Sequence, residues 1–167
     1  MTLTDPKTVD LIGLPVAATN YHQAIEWIQA TALSGDRAYA VEAANTHVAA
    51  LARHDQSFGE AMAKFDLICP DGMPLVWLLN QQLKQSEKLT DRVYGPTLML
   101  KTIEASENQR DLKHFFFGGS PDTLNKLEKR FAEDYPNAKI AGNYSPPFGT
   151  WPDDEFERVT QKIIESK

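Results

Sequence analysis

At 167 residues the chain has the length of one domain, enough to bury roughly two thirds of its unfolded surface. Its formal charge of −6 excludes a general affinity for nucleic acid and a strong electrostatic hold on anionic lipid, both of which need a basic footprint. A single cysteine, Cys69, excludes an intrachain disulfide and suits a reducing cytosol, and no run approaches the ~20 apolar residues of a membrane span.

Met1 to Asp10 lacks the basic and apolar regions of a signal peptide. Leu11 to Ala17 reads as a short strand or hairpin arm interrupted at Gly13 and Pro15, and Thr19 or Asn20 can cap the helix that follows. That helix carries Ile25, Ile28 and Ala32 at helical spacing and ends at Ser34, Gly35, Asp36. Tyr39 to Ala43 is the next strand. From Thr46 to Lys64 the apolar positions Val48, Leu51, Phe58 and Met62 predict helix, broken near His54 to Ser57, where Asp55 or Ser57 can start a second segment. Phe65 to Cys69 is again strand. Pro74 to Leu83 is helical and so apolar, from Leu75 to Leu79, that burial on most sides is expected.

Gln81 to Asp91 reads as helix end and loop, and Pro96 suits the first turn of a helix running to about Ala105. His114 to Phe117 is a strand ending in Gly118 and Gly119, after which Ser120 is a natural cap, Pro121 a natural first residue, and Leu124, Leu127 and Phe131 a buried stripe. Ala138 to Ala141 forms a further strand. After Gly142 and the pair Pro146, Pro147, a last amphipathic helix carries Phe156, Val159 and Ile163. Alternating strands and helices predict one α/β domain over residues 1–167, Rossmann-like, with a mostly parallel sheet and helices on both faces.

Two polar turns then matter. Asp71 follows a proline that cannot donate to a β-ladder and precedes Gly72, free to take positive φ; Asn45, Thr46, His47 follow the preceding strand. If the strands are parallel neighbours, both turns share the rim where open α/β folds bind ligands. Asp71 could be a general base, its pKa raised from about 3.9 by the apolar helix beside it, or a turn residue that bonds nearby amides or caps that helix. Asn45 and Thr46 could donate to a sugar or phosphate, or merely start a helix. Gly118 and Gly119 form a turn whose amides could cradle an anion, or an ordinary tight turn with a good cap. Arg92 could pair with a diphosphate, or lie solvated. Cys69, inside an apolar strand, reads as a buried, inert thiol. His22, His47, His54 and His114 show no ligand spacing, and no Asp-x-Asp follows an apolar run, so neither a metal nor a cofactor is expected.

With these residues in view, the chain resembles the WecG/TagA/CpsF family of bacterial glycosyltransferases. The resemblance rests on an ordered set: Asn45, Thr46, His47; Asp66, Leu67; Pro70, Asp71, Gly72; Arg92, Val93 with Gly95; Phe117, Gly118, Gly119; and Gly142 with Pro146, Pro147. It implies transfer of an N-acetylaminosugar or related sugar from a UDP donor to a lipid-diphosphate-linked acceptor, without a metal and with inversion. The setting it implies is cytoplasmic, at the inner face of the membrane, in surface polysaccharide or teichoic-acid synthesis. It places the catalytic aspartate at Asp71, the family asparagine at Asn45 and the basic residue at Arg92. Thr46, Gly72, Gly118 and Gly119 complete the substrate-binding set.

Many relatives carry a threonine where this chain has Ala43, and the family continues with a further strand, a Gly-x-Pro-x-Gln-Glu-like turn and a C-terminal appendage not found before Lys167. The chain is therefore expected to be the family's N-terminal core, with a homo-oligomer also expected, in part because Leu75 to Leu79 would favour self-association. Two other readings stand beside this one: a catalytically silent nucleotide-binding or assembly module, and an unrelated doubly wound domain whose Asp71 is structural.

Overall fold

The computed structural model describes residues 5–35, 37–109 and 111–166. The fold is α/β and divides into two compact units, Met1–Thr102 and Ile103–Lys167, with the division falling inside one helix.

The first unit opens with an antiparallel hairpin, β1 (Thr8–Leu11) and β2 (Leu14–Ala17), in which Leu11 pairs with Leu14. Sequence reading found only the second arm and a break at Gly13. The turn is made by Ile12 at φ 60 together with Gly13 at φ 86, and isoleucine is not a residue that announces a left-handed turn. Asn20 then starts α1 (Tyr21–Ser34) with a capping box: its side chain accepts from the Gln23 N–H while Gln23 reaches back to the Asn20 N–H. Gly35 ends the helix in the left-handed conformation, and Asp36 lies outside the described residues. The buried face of α1 is Ala24, Trp27 and Thr31, with Ile25 and Ile28 half-buried and Ala32 exposed. The expected stripe is thus displaced by about one position, because Trp27 packs edge-on to Tyr39 at 5.6 Å and donates its indole N–H to Asp5 at 2.8 Å.

β3 (Val41–Ala44) and β4 (Leu67–Pro70) pair in parallel, Ala44 opposite Pro70. Between them run α2 (Thr46–His54) and α3 (Gln56–Met62), broken as expected at Asp55, whose side chain caps the second helix through the Phe58 N–H. β4 is buried along its whole length, so its two faces serve two cores. Ile68 packs with Ala44, Ala49, Met62, Leu75 and Leu79, whereas Leu67 and Cys69 pack with Ala24, Trp27, Val93 and Leu98. Helices therefore cover both faces, as the alternation of elements predicted.

α4 (Met73–Gln82) follows β4, and α5 (Gly95–Ser106) begins after a short 3-10 turn at Gln85–Glu87 and an extended loop. The expectation that α4 is buried on most sides holds for Leu75, Val76 and Leu79 but not for Trp77, which is 60% exposed. Most of the Leu75–Leu79 run is thus spent inside its own unit and cannot serve self-association.

In the second unit β5 (Lys113–Phe117) pairs in parallel with β6 (Lys139–Tyr144), with a register shift between His114 and Phe115. Past the shift Phe115 faces Gly142, where an added Cβ would stand 3.2 Å from the Phe115 ring, so the pairing needs a residue without a side chain. α6 (Pro121–Asp134) starts on Ser120 as read from sequence, burying Leu124 and Phe131; Phe131 stacks on Phe116 at 5.1 Å. α7 (Glu155–Glu165) departs from expectation. Phe156, Ile163 and Ile164 are exposed, and the buried residue is Glu155, drawn inward by a 2.7 Å hydrogen bond from the Tyr144 hydroxyl. Among the described residues the ladders are two-stranded, the strands being only four to six residues long, so the single sheet expected from sequence is instead three hydrogen-bonded pairs.

Candidate active site at the end of the β3–β4 pair

Because β3 and β4 are parallel and in register, their C-terminal ends coincide. The Asp71 N–H donates to the Ala44 carbonyl at 2.8 Å, which sets Asn45 and Asp71 side by side on one rim. The rim inferred from two polar turns is present.

Asn45 caps α2: its Oδ1 accepts from the N–H groups of His47 at 2.9 Å and Val48 at 3.2 Å. The capping role read from sequence is real, and it orients the amide. With Oδ1 fixed, Nδ2 has no acceptor among the described residues and remains a donor on an exposed side chain. Thr46, the first residue of α2, is exposed beside it.

Asp71 is half-buried. It does not cap α4, whose N-cap is Gly72 with no side-chain hydrogen bond; its contact is a long one, 3.5 Å from Oδ2 to the Gly95 N–H. Gly72 is buried with φ 171, extended backbone open to any residue, so the left-handed turn expected there is not what bends the chain. An added Cβ at Gly72 would meet Pro74 Cδ at an ordinary 3.7 Å. The close approach lies at Gly95, where a Cβ would stand 3.2 Å from the Ala43 Cβ and 4.0 Å from Asp71 Oδ2.

The loop before α5 is brought to this rim by bonds that sequence reading did not find. The Val93 N–H donates to the Pro70 carbonyl at 2.8 Å, continuing past the end of β4. The Tyr94 N–H donates to the Tyr21 hydroxyl at 3.0 Å, and the Asn80 carboxamide clamps Leu89, accepting from its N–H and donating to its carbonyl, both at 2.8 Å. These partners are nine to 73 residues apart, so no local pattern announces them. Arg92 rides on this loop, exposed, its guanidinium 4.9 Å from the Tyr94 ring and without a carboxylate partner among the described residues.

Asp66, quoted above only for its place in an ordered motif, has a structural duty. It pairs with Arg37 at 2.6 Å and accepts from the Ala40 N–H at 2.8 Å, which holds its carboxyl below the usual range and pins the chain entering β3. Cys69 is fully buried, and burial with the Glu42 charge pushes its thiol up to about 12, so it is inert as read.

Gly118 and Gly119 belong to the second unit, at φ 107 and 75. The Gly118 N–H is spent on the Tyr144 carbonyl at 2.9 Å, and Ser120 caps the Thr123 N–H at 3.2 Å. Asp122 adds a carboxylate to the first turn of α6, which opposes an anion there. Of the amides expected to cradle an anion, the Gly119 N–H remains available among the described residues. No group of His, Cys, Asp and Glu that could hold a metal ion occurs among the described residues, and none of the described helices is long and apolar enough to cross a membrane.

The shared end of β3 and β4 thus carries a half-buried carboxylate and a capping amide, with the Arg92 loop beside them. Residues 9–167 match the profile of the glycosyl transferase WecG/TagA/CpsF family, and the chain belongs to that family. It is similar to the N-acetylglucosaminyldiphosphoundecaprenol N-acetyl-beta-D-mannosaminyltransferase of Bacillus subtilis (strain 168), with 21% identity over 136 residues. That similarity takes in 81% of this chain, which spans about half (52%) of the relative's length.

Proposed function

We propose that this chain is the core of an inverting glycosyltransferase that works without a metal. It moves an N-acetylaminosugar or related sugar from a UDP donor to a polyprenyl-diphosphate-linked acceptor, at the cytoplasmic face of the membrane. The observation that carries the reading is the juxtaposition of Asp71 and Asn45 at the shared end of β3 and β4, with Gly95 closing on both Asp71 and Ala43. A relative whose name specifies an N-acetylglucosaminyl-diphospho-lipid acceptor and transfer of an N-acetylmannosaminyl group supports the substrate class.

In this mechanism the acceptor hydroxyl oxygen attacks the anomeric carbon from the face opposite the leaving group. Its proton passes to the Asp71 carboxylate, and the bond from the anomeric carbon to the β-phosphate oxygen breaks, UDP leaving with the electron pair. A half-buried carboxylate whose one contact is a long amide bond keeps lone pairs free for that proton. Asn45 Nδ2 and Thr46 serve sugar hydroxyls or phosphate oxygens, and Arg92 offsets diphosphate charge.

The test is Asp71→Asn. It keeps the side-chain volume, removes the base, and is expected to abolish sugar transfer while unfolding temperature and UDP affinity stay unchanged; undiminished turnover would end the assignment. Transfer that persists in EDTA is expected from a metal-free mechanism. One feature favours a second reading, a catalytically silent module: Ala43 supplies no hydroxyl beside Asp71. Sugar transfer by the 167-residue chain itself removes that reading.

A further inference from the structure

The first turn of α1 and the loop that Asn80 clamps border a half-open cavity of about 290 Å³, to which Asn20, His22, Lys88, Thr90, Asp91 and Arg92 contribute. We propose that this cavity holds the phosphate-bearing sugar of the acceptor, separately from the nucleotide donor; the assignment rests on the glycosyltransferase reading above.

Charge is the first argument. In a chain of net charge −6, Lys88 and Arg92 line one cavity, and among the described residues neither has a carboxylate within ion-pair distance. His22 is already engaged, 3.2 Å from Glu26. The capping box of α1 uses the N–H groups of Asn20 and Gln23, which leaves those of Tyr21 and His22 without an acceptor among the described residues. No acidic side chain occupies the turn. Two unpaired cations and two free helix-start amides around one space suit a phosphate.

The remaining groups suit a sugar. Thr90 offers a hydroxyl, and Asp91, whose Oδ1 accepts from the Arg92 N–H at 2.7 Å, retains Oδ2 for a hydroxyl donor. A bare anion has no use for that carboxylate, whereas a sugar phosphate uses both signs. A volume of about 290 Å³, just below the roughly 300–1,000 Å³ typical of ligand pockets, matches one pyranose and a phosphate better than a nucleoside diphosphate sugar.

Rigidity and position complete the case. The walls are held by the Asn80 clamp on Leu89 and by the Tyr21 hydroxyl on the Tyr94 N–H, so little ordering remains to be done on binding. The same loop ends at Gly95, whose N–H faces Asp71. A sugar phosphate seated between Lys88 and Arg92 is thus held by the loop that runs on to the Asp71 contact. Arg92, at the inner end of that segment, serves phosphate charge from either substrate.

Calorimetric titration of the 167-residue chain with N-acetylglucosamine 1-phosphate, and separately with UDP, tests the proposal. Saturable binding of the sugar phosphate is expected, weakened about 10- to 100-fold in Lys88→Ala, as loss of a hydrogen bond to a charged group implies. It is expected to recover in Lys88→Arg and to be unaffected in Lys64→Ala, with UDP affinity equal in all four proteins. Absence of saturable binding at millimolar sugar phosphate, or equal affinity in wild type and Lys88→Ala, overturns the assignment. A parallel loss of UDP binding in Lys88→Ala does so too, by making the cavity the donor's. Failure of the glycosyltransferase reading is seen elsewhere, as undiminished transfer by Asp71→Asn or as absence of UDP binding by well-folded wild type.

Discussion

Asn80→Ala isolates what the clamp contributes. The substitution deletes two neutral hydrogen bonds, each 2.8 Å long, from a half-buried side chain to the Leu89 N–H and carbonyl. A net 0.5–1.5 kcal/mol per bond gives about 2 kcal/mol, and because Leu89 is itself only half-buried, water can re-solvate its backbone and keep the loss from rising much further. For a chain of this length that corresponds to a fall of about 4–8 °C in unfolding temperature. Asn80→Asp is the sharper control: it keeps an acceptor for the Leu89 N–H but sets a carboxylate oxygen against the Leu89 carbonyl, so it should cost at least as much as alanine. Thermal and urea unfolding followed by tryptophan fluorescence read the stability. Sugar-phosphate titration reads the loop, and affinity should drop in both variants as Lys88 and Arg92 lose their fixed placement. An unfolding temperature within 1 °C of wild type with unchanged affinity would refute the reasoning, since the Val93–Pro70 and Tyr94–Tyr21 bonds would then suffice to hold the segment.

Two further outcomes follow from single contacts. Gly95→Ala places a Cβ 3.2 Å from Ala43 in a paired strand, so β3 or the loop must give by a few tenths of an ångström beside Asp71; transfer should fall about tenfold or more for a stability cost near 1 kcal/mol, whereas Gly72→Ala, meeting nothing closer than 3.7 Å, should leave stability almost unchanged. Burial holds the His114 imidazole below its usual pKa, its Nε2 standing 2.7 Å from the Ser106 hydroxyl. The unfolded chain therefore binds the proton more readily than the folded one. Stability contributed by the neutral ring is complete above the unfolded value of about 6.5 and is lost as pH falls from there through the folded value. His114→Gln should flatten unfolding temperature against pH in that window, and an unchanged slope would assign the dependence to another group.

The features legible in sequence are those whose cause is local. Ser120 followed by Pro121 starts α6, Asn20 with Gln23 starts α1, and Asp55 breaks α2 from α3, because in each case the side chain satisfies an amide three residues away. The pairing of the Asn45 and Asp71 turns was also legible, since two successive strands joined by helices run parallel and end together. The misreadings share one physical origin, that burial is decided by remote partners. Trp27 sets the inner face of α1 through Tyr39 and Asp5, and Glu155 is drawn inside by Tyr144 while Phe156, one residue on, faces out. The loop from Lys88 to Gly95 is the extreme case. Its composition reads as a polar connection, yet Asn80, Tyr21 and Pro70 each fix its backbone from a different element. What those four bonds accomplish is to fix the loop that carries Arg92 and leads to Gly95, so the segment that periodicity describes least is the one on which the proposed substrate placement depends.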